Sequence, residues 1–151
     1  MHVRRARAED QAFIADLGGR SVEASASSLR PAGNAELVAN FAALLTYALG
    51  RDHAILLAER EGRPSGFALL IFDLPDEVTG VPQAFLAYMA VEPAHRCLGT
   101  GRALLRAAED EAIGRGLPYI SLMVTEENEA GRRLYEGAGY ATERRLLCKA
   151  L

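Results

Sequence analysis

The chain has little of what several classes of function require. Only two of its 151 residues are cysteine, Cys97 and Cys148, without CxxC spacing, and its three histidines, His2, His53 and His95, form no cluster with metal-ligand spacing. A disulfide framework and a metal site are therefore not indicated. Basic residues are not in excess either: 17 Lys and Arg stand against 20 Asp and Glu, a net charge of −3. Binding to a nucleic-acid backbone usually draws on a positive surplus, so nucleic acid is not expected as a partner. No apolar run approaches the roughly 18 residues of a membrane span, and no signal-peptide core opens the chain. The expectation is a cytoplasmic protein with no membrane partner. Gly-Lys-Ser/Thr is also missing, which removes a Walker A phosphate loop.

What remains is ordinary for one globular domain covering 1–151, half apolar and a quarter charged, without linker, repeat or low-complexity segment. Val3 to Arg5 reads as a short strand. Glu9 and Asp10 then open a helix carrying Phe13, Ile14 and Leu17, which Gly18-Gly19 is expected to end or interrupt. A second helix begins at Asn34 as N-cap, with Leu37, Phe41, Leu44, Leu45 and Ala48 on one side, and Gly50 closes it. Ala54 to Glu59 and Phe67 to Phe72 read as antiparallel strands around a turn-rich segment, Glu61 to Gly66. Ala84 to Val91 is a further strand, Arg102 to Arg115 a helix, Tyr119 to Val124 a buried strand, and Asn128 starts a short helix that Gly139 ends. The tail, Tyr140 to Leu151, is strand-like. The order is β-α-α-β-β-β-α-β-α-β, an α/β arrangement of the mixed α+β kind.

The stretch Arg96-Cys97-Leu98-Gly99-Thr100-Gly101 lies between a strand and a helix. Such a turn can hold a pyrophosphate on backbone N–H groups at a helix N-terminus, where the dipole favours negative charge. Two glycines alone are weak evidence, because they often only relax a tight turn. A dinucleotide fingerprint would need a third Gly or Ala near position 104, where Leu104 stands. The wider pattern is Val91-x-Pro93-x-x-Arg96-x-x-Gly99-x-Gly101-x-x-Leu104. Past an intervening strand comes Asn128-x-x-Ala-x-x-x-Tyr135-Glu136-x-x-Gly139-Tyr140.

Together these motifs resemble the coenzyme-binding and C-terminal motifs of the GNAT superfamily of N-acetyltransferases, and the order of elements extends the resemblance over nearly the whole chain. The resemblance implies a central mixed, mostly antiparallel sheet of six to seven strands flanked by about four helices. It implies acetyl-CoA as cosubstrate, no metal, and an amine acceptor on a small molecule or peptide. Cys97, Leu98, Gly99, Thr100, Gly101 and Arg102 would then offer amides to the pyrophosphate, with Arg96 beginning the turn. Gly99 and Gly101 would keep Cβ atoms away from it. Met89 and Val91, with Ala90 between them, would pair with the pantetheine arm as an added strand. Asn128 is either a coenzyme contact or simply the helix N-cap.

Tyr135 is implied as the general acid at the departing thiolate. It lies about 100° around the helix from Leu134, at the margin of the apolar face. A Tyr near pKa 10 is a weaker acid than a thiol near 8.5, so full proton transfer is uphill by about 2 kcal/mol unless the site lowers the Tyr pKa. A base is harder to name: the interior strand positions hold Ala87 and Leu122-Met123-Val124, and the nearest carboxylate, Glu92, sits at a strand end. Tyr88, its same-face neighbour, and Asp73, Asp76 and Glu77 in the loop after Phe72 are candidates for the acceptor side. Cys97 stands where the family commonly has Gly, either as an inert buried thiol or as one able to form a mixed disulfide with coenzyme A. The alternative to an enzyme is a non-catalytic acyl-CoA-binding or sensor domain. An open strand edge beside the C-terminal strand leaves room for a homodimer.

Overall fold

Short apolar runs covered on both faces build the central strands, and the chain folds around them. The computed structural model describes residues 1–151, with β1 (His2–Arg5), β2 (His53–Arg60), β3 (Arg63–Ile71), β4 (Ala84–Val91) and β5 (Ile120–Leu122) in one sheet of order β1-β2-β3-β4-β5. All neighbours are antiparallel except β4 and β5, which are parallel. Helices α1 (Gln11–Ser21) and α2 (Asn34–Leu49) cover one face, where Ile14, Leu17 and Phe41 bury against Leu57, Phe67 and Ala90. Helix α3 (Thr100–Gly114) covers the other with Leu104, Leu105, Ala108 and Ala112, and α4 (Glu129–Gly137) adds Leu134 and Tyr135 at its margin.

The expected six to seven strands are five. Tyr140 to Leu151 forms no strand: Leu146 and Leu147 are 83% and 86% exposed, and Arg144 is drawn instead into ion pairs with Asp76 and Glu77. The outer edge of β5 is thus unpaired. Other boundaries differ too: the expected buried strand Tyr119 to Val124 is only Ile120–Leu122 and half-buried, and β3 begins at Arg63, inside the expected turn. Helix α1 runs through Gly18-Gly19 to Ser21, because Gly18 serves helix packing: a Cβ there would lie 2.0 Å from the Phe41 ring. Gly33, not Asn34, is the N-cap of α2, and its N–H donates to Glu36 at 3.3 Å.

One partly buried charge network ties the first elements together. Arg4 on β1 bonds both carboxylate oxygens of Asp10, at 2.7 and 3.1 Å, and reaches Glu59 on β2 at 2.6 Å. Asp10 is 4% exposed and also accepts from the Arg7 N–H at 2.7 Å. These bonds from Arg4, opposed by burial and aided by Arg7, hold the Asp10 carboxyl below its ordinary range.

Candidate active site

Strand β4 changes phase halfway along. Leu70 pairs with Leu86 and Leu69 with Tyr88, leaving Ala87 as a bulge without a partner. Before the bulge, the Ala84 N–H points towards β5 and bonds the Tyr119 carbonyl at 2.9 Å. After it, the Glu92 N–H points the other way, to the Ser65 carbonyl at 2.9 Å. Since backbone groups alternate along a strand, Met89 and Val91 direct theirs towards β5. The ladder to β5 stops at Leu86 paired with Leu122, so these groups face a gap between diverging strands. Ala90 points its backbone into the sheet and its side chain under α1 and α2.

The gap ends at the glycine turn. Cys97 and Gly99 have φ of 58° and 85°, in the left-handed region, and α3 begins at Thr100 without any side-chain cap. None of the amides from Cys97 to Arg102 donates a hydrogen bond within the protein; the first intrahelical bond from the turn is Ala103 N–H to the Gly99 carbonyl, 3.0 Å. Open N–H groups at a helix N-terminus form an anion site. Gly99 has nothing within 4 Å of where a Cβ would stand, so its left-handed φ is what demands glycine. At Gly101 a Cβ would lie 3.2 Å from Leu134, so this glycine also lets α3 approach α4.

Two guanidiniums brace the turn. Arg96 donates to the Val91 carbonyl at 3.2 Å, and Arg60, from the end of β2, donates to the Leu98 carbonyl at 3.3 Å. Leu98 is half exposed and Cys97 is exposed, which removes the buried-thiol reading of Cys97. Thr100 is buried, and its hydroxyl has no partner.

Across the gap, Asn128 is the N-cap of α4, its side-chain oxygen accepting from the Gly131 N–H at 3.0 Å. Tyr135 packs beside the α3 core cluster with its ring 5.9 Å from that of Tyr140, and its hydroxyl makes no hydrogen bond within the protein. Burial raises its pKa above the usual 10. That is opposite to what full proton transfer to a thiolate would require.

The expected acceptor-side groups are otherwise engaged. Tyr88 sits between Phe41 and Phe67, donates to the Gly18 carbonyl at 3.2 Å, and is pushed up to about 12 by burial. Glu92 is ion-paired to Arg20 at 2.8 Å, and Arg20 also holds Asp16. Asp73 pairs with Arg51, while Asp76 and Glu77 pair with Arg144. Each of these carboxylates thus meets an arginine, although Asp76 and Glu77 share one.

Three features were not legible beforehand: the Ala87 bulge, the Arg60 brace, and a tie closing over the gap from the α1–α2 connection. In that tie Ser28 bonds Glu127 through its N–H and hydroxyl, at 3.0 and 2.8 Å, and the Thr125 hydroxyl donates to the Ser25 carbonyl at 2.6 Å. The only forewarning of it was the serine-rich composition of residues 20 to 33.

A diverging strand pair that ends in an amide-lined turn defines an acyl-coenzyme A transferase type of fold, and the comparisons agree. The Acetyltransferase (GNAT) family matches residues 22–140, and the chain belongs to that family. It is 37% identical over 84 residues to the mycothiol acetyltransferase of Thermobispora bispora, covering 56% of this chain and 28% of that protein. The chain spans between 16% and 40% of the length of the curated relatives it matches first. A candidate acetyl transferase of Pyrococcus furiosus superimposes with a TM-score of 0.79 and 27% identity over 99% of each chain. Aminoglycoside N-acetyltransferase AAC(6')-Iy, in complex with CoA, superimposes with a TM-score of 0.70 over 99% of this chain and 98% of that one; at 18% identity this likeness shows the fold.

Proposed function

We propose that the protein is an acetyl-CoA-dependent N-acetyltransferase acting on a primary amine of a small molecule or peptide. The observation that carries this is the gap: Met89 and Val91 backbone groups face it without a partner strand, and it runs into the unbonded amides from Cys97 to Arg102. An extended arm with amide groups fits the first as an added strand, and a pyrophosphate fits the second.

In the reaction a neutral amine attacks the thioester carbonyl. The C–N bond forms, the C–S bond breaks, the ammonium proton passes to solvent, and the thiolate accepts a hydrogen bond. A gap-facing N–H of β4 is placed to meet charge on the carbonyl oxygen of the tetrahedral intermediate. Tyr135, held protonated by burial, serves the departing thiolate as a hydrogen-bond donor. At pKa near 10.4 an amine is only about one part in 2,500 neutral at pH 7, which costs roughly 4.6 kcal/mol. β4 itself carries no carboxylate, and Glu92 just past its end is paired to Arg20, so activity is expected to rise with pH as acceptor amine deprotonates.

The same pairing favours the second reading, a coenzyme-binding domain without catalysis. A screen of amines, peptides and aminoglycosides with detection of released thiol, run beside calorimetry with coenzyme A, separates the two. Thiol release with any amine supports the transferase, whereas tight coenzyme binding with no release across the panel supports the binding domain.

A further inference from the structure

Most arginines of this chain meet a carboxylate. On α4, Arg132 pairs with Glu126 and Glu136, and Arg133 pairs with Glu129. Around the glycine turn the opposite holds: Arg60, Arg63, Arg96, Arg102 and Arg106 form no ion pair. Guanidiniums without an ion-pair partner are therefore gathered on one side of the gap, with Glu61, between Arg60 and Arg63, likewise unpaired. Arg96 and Arg102 belong to the turn and the first turn of α3. Arg60 and Arg63 do not; they face each other at the end of the β2–β3 hairpin, outside every motif that defines the coenzyme turn. The hairpin lies against the turn, since Arg60 reaches the Leu98 carbonyl at 3.3 Å. That bond uses one of five guanidinium N–H groups and leaves the others free.

We propose that the end of the β2–β3 hairpin is a subsite for a phosphate monoester, with Arg60 and Arg63 as its cations, and that the group it takes is the ribose 3′-phosphate of the coenzyme. The inference rests on the coenzyme reading above and adds to it the direction in which the adenosine end leaves the turn. Coenzyme A carries that monoester one ribose away from its pyrophosphate, so a second anion must settle beside the turn on one flank or the other. The α4 flank presents Glu126, Glu127 and Glu129, and its arginines are already paired, so a dianion meets net repulsion there. The hairpin flank presents two guanidiniums against the single carboxylate of Glu61; their only tie is from Arg60 to a carbonyl oxygen, and guanidiniums suit phosphate geometry well.

The test is the affinity of the protein for coenzyme A against 3′-dephospho-coenzyme A, by titration calorimetry. The native chain is expected to prefer coenzyme A by about tenfold, the equivalent of one charge-assisted hydrogen bond, and to lose part of that preference as salt rises. The Arg63 side chain makes no hydrogen bond or ion pair within the protein, so Arg63→Gln should reduce the preference several-fold while leaving the affinity for the dephospho form unchanged, an outcome that misfolding would not produce. Arg60→Gln should reduce the preference and weaken both ligands, because the brace on Leu98 goes with it. Equal affinity of the native chain for the two ligands, or a preference that survives in the double variant, overturns the subsite and leaves the coenzyme reading intact. Failure of the native chain to bind either ligand overturns both.

Discussion

Tyr135 shows how burial can redirect a residue's chemistry. Its place on α4 agrees with an acid at the leaving group, yet the apolar packing that positions the ring also raises its pKa. A group harder to ionise than free tyrosine donates a hydrogen bond to a thiolate more readily than it surrenders a proton. Tyr135→Phe, which keeps the packing, is expected to lower kcat by roughly 10²-fold with little change in KM for acetyl-CoA. In the native pH profile any alkaline loss from Tyr135 should come at higher pH than a free tyrosine would give, because burial raises its pKa. Steady-state kinetics of both proteins between pH 6 and pH 10 check both statements; an unchanged kcat removes Tyr135 from the reaction.

At the scale of elements, β1, α1 and β2 are joined by the Arg4, Asp10 and Glu59 network. Since the folded Asp10 pKa lies below its unfolded value, the stability it contributes is complete above the ordinary carboxylate range and is lost as pH falls through the lowered value. Asp10→Asn should cost roughly 2 kcal/mol at neutral pH, with Arg4 left short of a partner. The deficit should shrink towards zero in acid, where native Asp10 is protonated too. Urea unfolding of the two proteins at pH 7 and in acid measures the difference.

Element by element, periodicity was enough where an apolar stripe met a clear stop, as in α3, whose Leu104, Leu105, Ala108 and Ala112 are all buried. It failed where the deciding contact was distant in sequence. Gly18 looked like a helix breaker because Phe41, which needs the space, comes from another helix. Tyr140 to Leu151 has strand-like composition, but composition cannot supply a pairing partner. The turn from Arg96 to Gly101 was legible as the loop between a strand and a helix, and Asn128 as a cap. The bulge at Ala87 left no signal, because an alanine inserted in an apolar run changes nothing in the composition while reversing which backbone groups face the gap.

For the molecule as a whole, the outer edge of β5 and the exposed Leu146 and Leu147 leave strand groups and apolar surface without cover in the single chain. Unpaired strand edges favour association, so a homodimer through this edge is the expected outcome. Light scattering after size exclusion should give twice the mass of the chain, and Leu146→Lys with Leu147→Lys should return it to the mass of one. A native chain that runs as a monomer at high concentration ends that part of the reading.

The parting of β4 from β5 has an energetic side as well. Beyond Ala84, Phe85 and Leu86 the ladder gives way, and β5 with α4 is secured by side-chain packing and by the ties from Ser25 and Ser28. That portion of the molecule therefore sits at the low end of the local unfolding scale. A ligand lying along the gap would bind only the closed arrangement and would add its binding free energy to the cohesion of the two halves. Occupancy and the structural integrity of β5 and α4 are then one equilibrium, so the concentration of the ligand sets how often those elements open.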